Sequence, residues 1–223
     1  MIALLPYLPD LLHGVFITCL LTICSIALGF TLALIMTICT DMKVPVVSQV
    51  IEAIIFCIRG TPLLVQLFLI YFGLGQFEWL RHSFAWVVFR EPMMCAIFTL
   101  SLNTACYTTI LFRGAIASIP KNEIIACDAL GMSKWLALRR IILPQALRLA
   151  LPAYSNEAMI ILKSTSLAST VTLLDLMGVT QKLINETYDT VQWYVVAGIA
   201  YLLMNALIFS MFRIWQARSL AKG

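Results

Sequence analysis

From Leu11 to Thr40 the chain runs without a single Asp, Glu, Lys or Arg. A helix crosses the hydrocarbon core of a bilayer in about 20 residues at about 1.5 Å each, so this run spans it with room for tilt. The rest of the chain implies the same solvent. Its 223 residues are 61% hydrophobic and 12% charged, against about 25% charged in soluble domains. Mean hydropathy is +0.95. The net charge of +4 is modest and does not point to nucleic acid. The N-terminus lacks a basic leader and a small-residue cleavage site, and its apolar run is too long for a signal peptide. The first span is therefore expected to remain in the mature protein.

Four further apolar stretches follow. The second runs from about Val44 to Phe77 and is interrupted by Glu52 and Arg59. It reads as an amphipathic entry helix leading into a span centred on residues 63–74. Gly60 and Pro62 predict a kink between them, because proline removes a backbone donor. Pro92 to Phe112 is uncharged, Leu149 to Leu162 carries only Glu157, and Thr190 to Phe212 is again free of charge. The sequence thus predicts one all-α integral membrane domain over 1–223, with five transmembrane helices near 11–40, 48–74, 93–115, 146–163 and 190–213. The Ser- and Thr-rich stretch 164–178 reads as a short or re-entrant helix. No internal repeat is visible.

Five spans place the termini on opposite sides, and cationic residues choose the sides. With the N-terminus out, the cytoplasmic parts hold Lys43, Arg113, Lys121, Lys134, Arg139, Arg140, Arg148, Arg213, Arg218 and Lys222. The outer loops hold only Arg81, Arg90 and Lys182. The predicted topology is N-out, C-in. The aromatic-rich loop 73–92, with Trp79 and Trp86, then suits the outer interface.

Between the third and fourth spans, a cytoplasmic loop (about 117–145) breaks the apolar pattern. It contains EIIACDALGMSKWLALRRIILPQA, residues 123–146. Ile119-Pro120-Lys121-Asn122 reads as a helix start, residues 123–130 as a short helix, and Gly131 as its left-handed C-cap. Ser133 is placed to N-cap a second helix over 133–143, and Pro144 to open a new helix into the next span. An amphipathic element of this kind docks either on anionic lipid or on another protein.

The same segment resembles the EAA loop of bacterial ABC-importer permeases. Its pattern is EAA, three residues, Gly, about nine residues, then IxLP. Ile125-Ala126-Cys127 stand at the EAA place, Gly131 at the glycine, and Ile141-Ile142-Leu143-Pro144 at the ending. The opening glutamate is replaced by Ile125. RGTPLLVQLFLIYFG (59–73) and NEAMIILKSTSLAS (156–169) resemble the second- and fourth-span signatures of polar amino-acid permeases. Within that family, the chain most resembles arginine-importer permease subunits. The resemblance implies a type I ABC-importer permease fold in a bacterial inner (cytoplasmic) membrane. It implies two permease subunits, as homo- or heterodimer, a separate ATP-binding subunit, and a periplasmic substrate-binding protein. The helix carrying Ile125, Ala126, Cys127, Asp128, Leu130 and Gly131 would be the coupling helix seated on the ATPase. The chain has no G-x-x-x-x-G-K-[ST] phosphate loop, so ATP is expected on the partner and no cofactor on this chain.

Charges inside a bilayer are expensive and mark pathways. Glu157 is the sharpest case. Its carboxylate suits the guanidinium of arginine, which it can grip bidentately, or forms a structural ion pair with Arg59, Arg113 or Lys163. Asn103 and Tyr107 lie four apart on one face of the third span, with Thr104 beside them. They read as substrate contacts or as interhelical hydrogen bonds. Gln66 and Ser164, the latter seven residues past Glu157, complete the substrate-binding candidates. Lys163 reads as a gate or a structural charge. The seven cysteines form no CxxC pair, and with two histidines the sequence offers no metal-site spacing. Cysteines and methionines such as Met93, Met94, Met159 and Met204 read as apolar filler. The expected function is ATP-driven uptake of arginine or another basic amino acid. Glutamine, cystine or an opine-like compound are the alternatives, as is a stand-alone secondary transporter. Without a nucleophile motif or paired carboxylates, the chain is not expected to be an enzyme.

Overall fold

The computed structural model describes residues 5–42 and 45–220, with side chains described up to residue 217. Lys43 and Lys222, used above in assigning topology, lie outside the described residues, as does the side chain of Arg218. The described residues form helices joined by short turns, with no strand among them. In order these are α1 (Leu8–Asp41), α2 (Val47–Arg59), α3 (Leu63–Phe68), α4 (Glu78–Arg81), α5 (Trp86–Phe89), α6 (Pro92–Ala117), α7 (Lys121–Ala129), α8 (Lys134–Ala137), α9 (Leu143–Ser164), α10 (Leu176–Thr187) and α11 (Thr190–Leu220).

Three helices are long and apolar enough to cross a membrane on their own: α1, α6 and α11. Two bent pairs bring the number to five if each is one span. The first pair joins α2 to the run Leu63–Gln76 at 109°. The kink expected at Gly60 and Pro62 is therefore a near-perpendicular corner. The second pair joins Lys134–Val171 to α10 at 50°.

Pro144 lies in the first turn of α9, as the sequence reading expects, but that helix is continuous with the one before it. The chain does not stop and restart there. A π-helical turn, Leu138–Ile142, joins α8 to α9, and the Leu143 N–H donates to the Leu138 carbonyl. Proline cannot donate a backbone bond, and one wider turn absorbs that loss without breaking the rod. The helix that holds the fourth expected span, α9, runs over Leu143–Ser164. Beyond Ser164 it tightens into a 3-10 segment, Thr165–Val171. There the hydroxyls of Thr165, Ser166, Ser169 and Thr170 each donate to the carbonyl three residues back. That competition with the helix ladder explains the tightening. Thr172 adopts a left-handed backbone, and buried Asp175 then N-caps α10 by accepting from the N–H groups of Met177 and Gly178.

α6 is the central span, with 67% of its apolar window buried, against 11% for α11. The buried face of α1 carries Gly14, Thr18, Thr22, Ser25, Gly29, Ala33 and Thr37, spaced by three or four residues. Small residues let two backbones approach in lipid, where apolar area alone gives no preference for protein over solvent. At Gly29 a Cβ would lie 2.1 Å from the Thr104 Cγ2 and 3.0 Å from the Ser101 carbonyl oxygen. α11 turns Val195, Ile199, Leu202 and Leu207 outward, as a lipid-facing helix does.

Lys182 on α10 pairs with Asp10 at the start of α1, Nζ to Oδ2 3.0 Å. These two sit at one end of the bundle. At the other, Ile119 is buried among Phe30, Ala33, Phe112, Ala146 and Ala150. Gly29→Ala should lower the melting temperature of the purified chain by the equivalent of about 1–3 kcal/mol, the usual range for overpacking. Gly114→Ala, where a Cβ meets nothing within 4 Å, should leave it unchanged. Differential scanning fluorimetry in detergent checks both.

Candidate functional site

One turn of α6, residues 103–107, gathers the polar groups singled out in the sequence. Thr104 faces α9, with its hydroxyl on the Glu157 carboxylate side. Asn103 faces α3 and donates from Nδ2 to the Gln66 Oε1 at 3.2 Å. Tyr107, half-open at the surface, lies under the Arg59 guanidinium, whose Cζ is 5.1 Å from the ring centroid. Successive residues of a helix point about 100° apart, so one turn reaches three neighbours.

Glu157 is 6% exposed, and its Oε1 has no hydrogen-bond partner. No salt bridge to it is formed among the described residues. Arg113 instead pairs with Glu52 at 3.3 Å, and Arg59 rests on Tyr107. Leaving a buried carboxylate oxygen unmatched carries a desolvation cost of a few kcal/mol. Gly29 opposite Thr104 is what brings α1 close to this junction.

The remaining candidates divide. Gln66 is buried, and its Nε2 is shared among the carbonyls of Ile58 and Thr61 and the Thr61 hydroxyl. It locks the α2–α3 corner and holds Asn103 in place. Ser164 donates its hydroxyl to the Ile160 carbonyl at 2.9 Å. It lines a small cavity with Leu63, Leu67, Leu100 and Leu167. Lys163 is exposed.

In the connecting loop, Gly131 has φ +70°. The Met132 N–H reaches the Cys127 carbonyl at 3.1 Å and the Gly131 N–H the Asp128 carbonyl at 3.0 Å. This pair of bonds is a Schellman cap. Ser133 caps α8 as expected, accepting from the Leu136 N–H. α7 presents Ile125, Ala126, Asp128 and Leu130 outward, with Ile125 62% and Leu130 78% exposed. Cys127 alone among the coupling candidates turns inward. Ala137 and Leu138 are also buried, so the loop finds more burial than its amphipathic pattern suggested.

Three features escaped the sequence reading. The stacking of Arg59 on Tyr107 joins residues on different helices. The hydrogen bond between Glu123 and Gln145 bridges the ends of the loop. The small-residue stripe on α1 was visible as a three-four periodicity of Gly, Ser, Thr and Ala. No group of three or more His, Cys, Asp or Glu is placed to hold a metal among the described residues.

Comparison with known proteins agrees with this geometry. Residues 25–220 match the family model described as the binding-protein-dependent transport system inner membrane component. The arginine ABC transporter permease protein ArtM of Escherichia coli (strain K12) is 46% identical over 216 residues, 96% of each chain. The octopine transport system permease protein OccM of Rhizobium radiobacter is 42% identical, covering 92% of this chain and 84% of its own. A crystal structure of an amino acid ABC transporter with histidines superposes with a TM-score of 0.85 at 26% identity, over 96% of both chains. The chain belongs to the family of binding-protein-dependent transport system inner membrane components.

Proposed function

We propose that this permease takes up arginine or a related basic amino acid, and that Glu157 receives the substrate's cationic side chain. The observation that carries the reading is the buried Glu157 carboxylate, beside Thr104 and unpartnered at Oε1. A guanidinium offers two parallel N–H donors to such a carboxylate. Asn103, Thr104 and Tyr107 serve the same site from α6, with Gln66 bracing Asn103 and Ser164 at its edge. An opine-like substrate is the second reading, favoured by the identity to OccM. Octopine transport is the property of that relative, and an opine that retains a guanidinium would use the same carboxylate.

The chain acts as one of two permease subunits in a bacterial inner membrane, with five spans, N-terminus out and C-terminus in. The counting of Lys and Arg supports this topology. ATP is split by a separate subunit docked on the outward face of α7, where Ile125, Ala126, Asp128 and Leu130 stand exposed. A periplasmic binding protein delivers substrate from the other end. Alternation between outward- and inward-open states then follows from ATPase closure, transmitted through the loop.

Three measurements test the reading. In proteoliposomes carrying the assembled importer, Glu157→Gln should raise the arginine concentration needed for half-maximal uptake by about 10- to 100-fold, as loss of a charge-assisted bond does. Assembly should be unchanged, and normal arginine uptake would make the carboxylate structural. Octopine and glutamine as competitors separate the substrate readings. Gly131→Pro cannot adopt the positive φ of the cap and should abolish uptake while the chain still inserts in the membrane. Asp128→Cys should react with an impermeant maleimide, over the wild-type background, in inverted vesicles and not in right-side-out vesicles. The reverse pattern would overturn the topology.

A further inference from the structure

The loop between α6 and α9 is tied at its two ends by contacts that do not pass through its middle. Glu123, in the first turn of α7, accepts a hydrogen bond through Oε2 from the Gln145 Nε2, across 22 residues of chain. Gln145 stands in the first turn of α9, directly after Pro144. Just before α7, Ile119 is 4% exposed and packs against Ala146 and Ala150, on the same first turns of α9. A carboxylate-to-amide bond is charge-assisted and directional, and this one is part-buried beside the apolar contact. α9 continues as helix from this point, and Glu157 lies about three turns further along. The π-helical turn before Pro144 keeps α8 joined to α9, but only the Glu123 contact links α9 to α7 by a side-chain bond among the described residues.

We propose that the Glu123–Gln145 pair is the strut through which displacement of α7 reaches α9 and moves the Glu157 carboxylate. This rests on the reading of α7 as the ATPase-docking helix. The pair touches neither substrate nor nucleotide in that scheme. It positions one element relative to another, so its loss separates hydrolysis from transport. Ile119 alone, an apolar contact without direction, lets α7 slide over α9. The hydrogen bond fixes the register.

The test uses the complete importer, with its ATPase, second permease and binding protein, in proteoliposomes. Gln145→Glu places two carboxylates face to face. Arginine uptake should fall by about tenfold or more, the scale of a lost charge-assisted bond, while binding-protein-stimulated ATP hydrolysis stays within about twofold of the wild type and the ATPase still co-purifies. The swapped pair, Glu123→Gln with Gln145→Glu, restores one amide facing one carboxylate. It should return uptake to within about twofold. Uptake unaffected by Gln145→Glu, hydrolysis lost together with uptake, loss of the ATPase from the complex, or a swapped pair as defective as the single variant would each overturn the strut. The wild-type importer separates the two ideas. Should it fail to couple hydrolysis to arginine uptake at all, the reading of α7 and of the substrate is what fails.

Discussion

The close approach of α1 and α6 at Gly29 underlies the rest of the structure. In lipid, two helices gain little by burying apolar area against each other, since the acyl chains are as apolar as leucine. They gain by fitting closely. Glycine at 29 leaves room for Thr104, whose Cγ2 occupies the space a Cβ would need. The stripe of Gly, Ser, Thr and Ala on α1 extends that fit over seven positions from Gly14 to Thr37. It makes α6 the most buried span, and a buried span is where polar side chains can be held away from lipid.

That arrangement makes residues 103–107 a hub. Two polar groups there are oriented by partners on other helices, Asn103 by Gln66 and Tyr107 by Arg59, and Thr104 lies beside Glu157. Gln66 is itself fixed by the α2–α3 corner, whose carbonyls it satisfies where Pro62 and the turn leave them free. The Glu157 Oε1 is buried without a hydrogen-bond partner, as are the hydroxyls of Ser25, Thr37, Ser101 and Thr108 on α1 and α6, and it is the one carboxylate oxygen among them. Polar groups in hydrocarbon are ordinarily satisfied, and a carboxylate is the costliest of these groups to leave unmatched.

Much of this was legible in the sequence. Uncharged runs gave α1, α6 and α11, because about 20 apolar residues have few other uses. Gly131 and Ser133 announced the turn between α7 and α8, because their local chemistry, a positive φ and a hydroxyl acceptor, acts within a few residues. The pattern from Ile125 to Pro144 and the signatures around Arg59 and Glu157 carried the family. The corner at Gly60 and Pro62 was readable as a bend, but its 109° was not. Pro144 was legible as a residue of the first turn of α9, but its missing N–H can be met by a helix break or by a π-helical turn, and the second is found. Which solution wins depends on what α8 and α9 pack against.

The sequence by itself determined that the chain lives in a bilayer, roughly where it crosses, and which short segments carry turns and caps. These follow from hydropathy and from bonds between near neighbours. The tertiary structure decided which polar residues meet. Glu157 had Arg59, Arg113 and Lys163 as plausible partners, and none of them pairs with it among the described residues. Arg113 went to Glu52, 61 residues away, and Arg59 to a tyrosine ring. Side-chain pairing in a bundle is set by the rotation and crossing of whole helices, and those are fixed by how small residues let backbones approach.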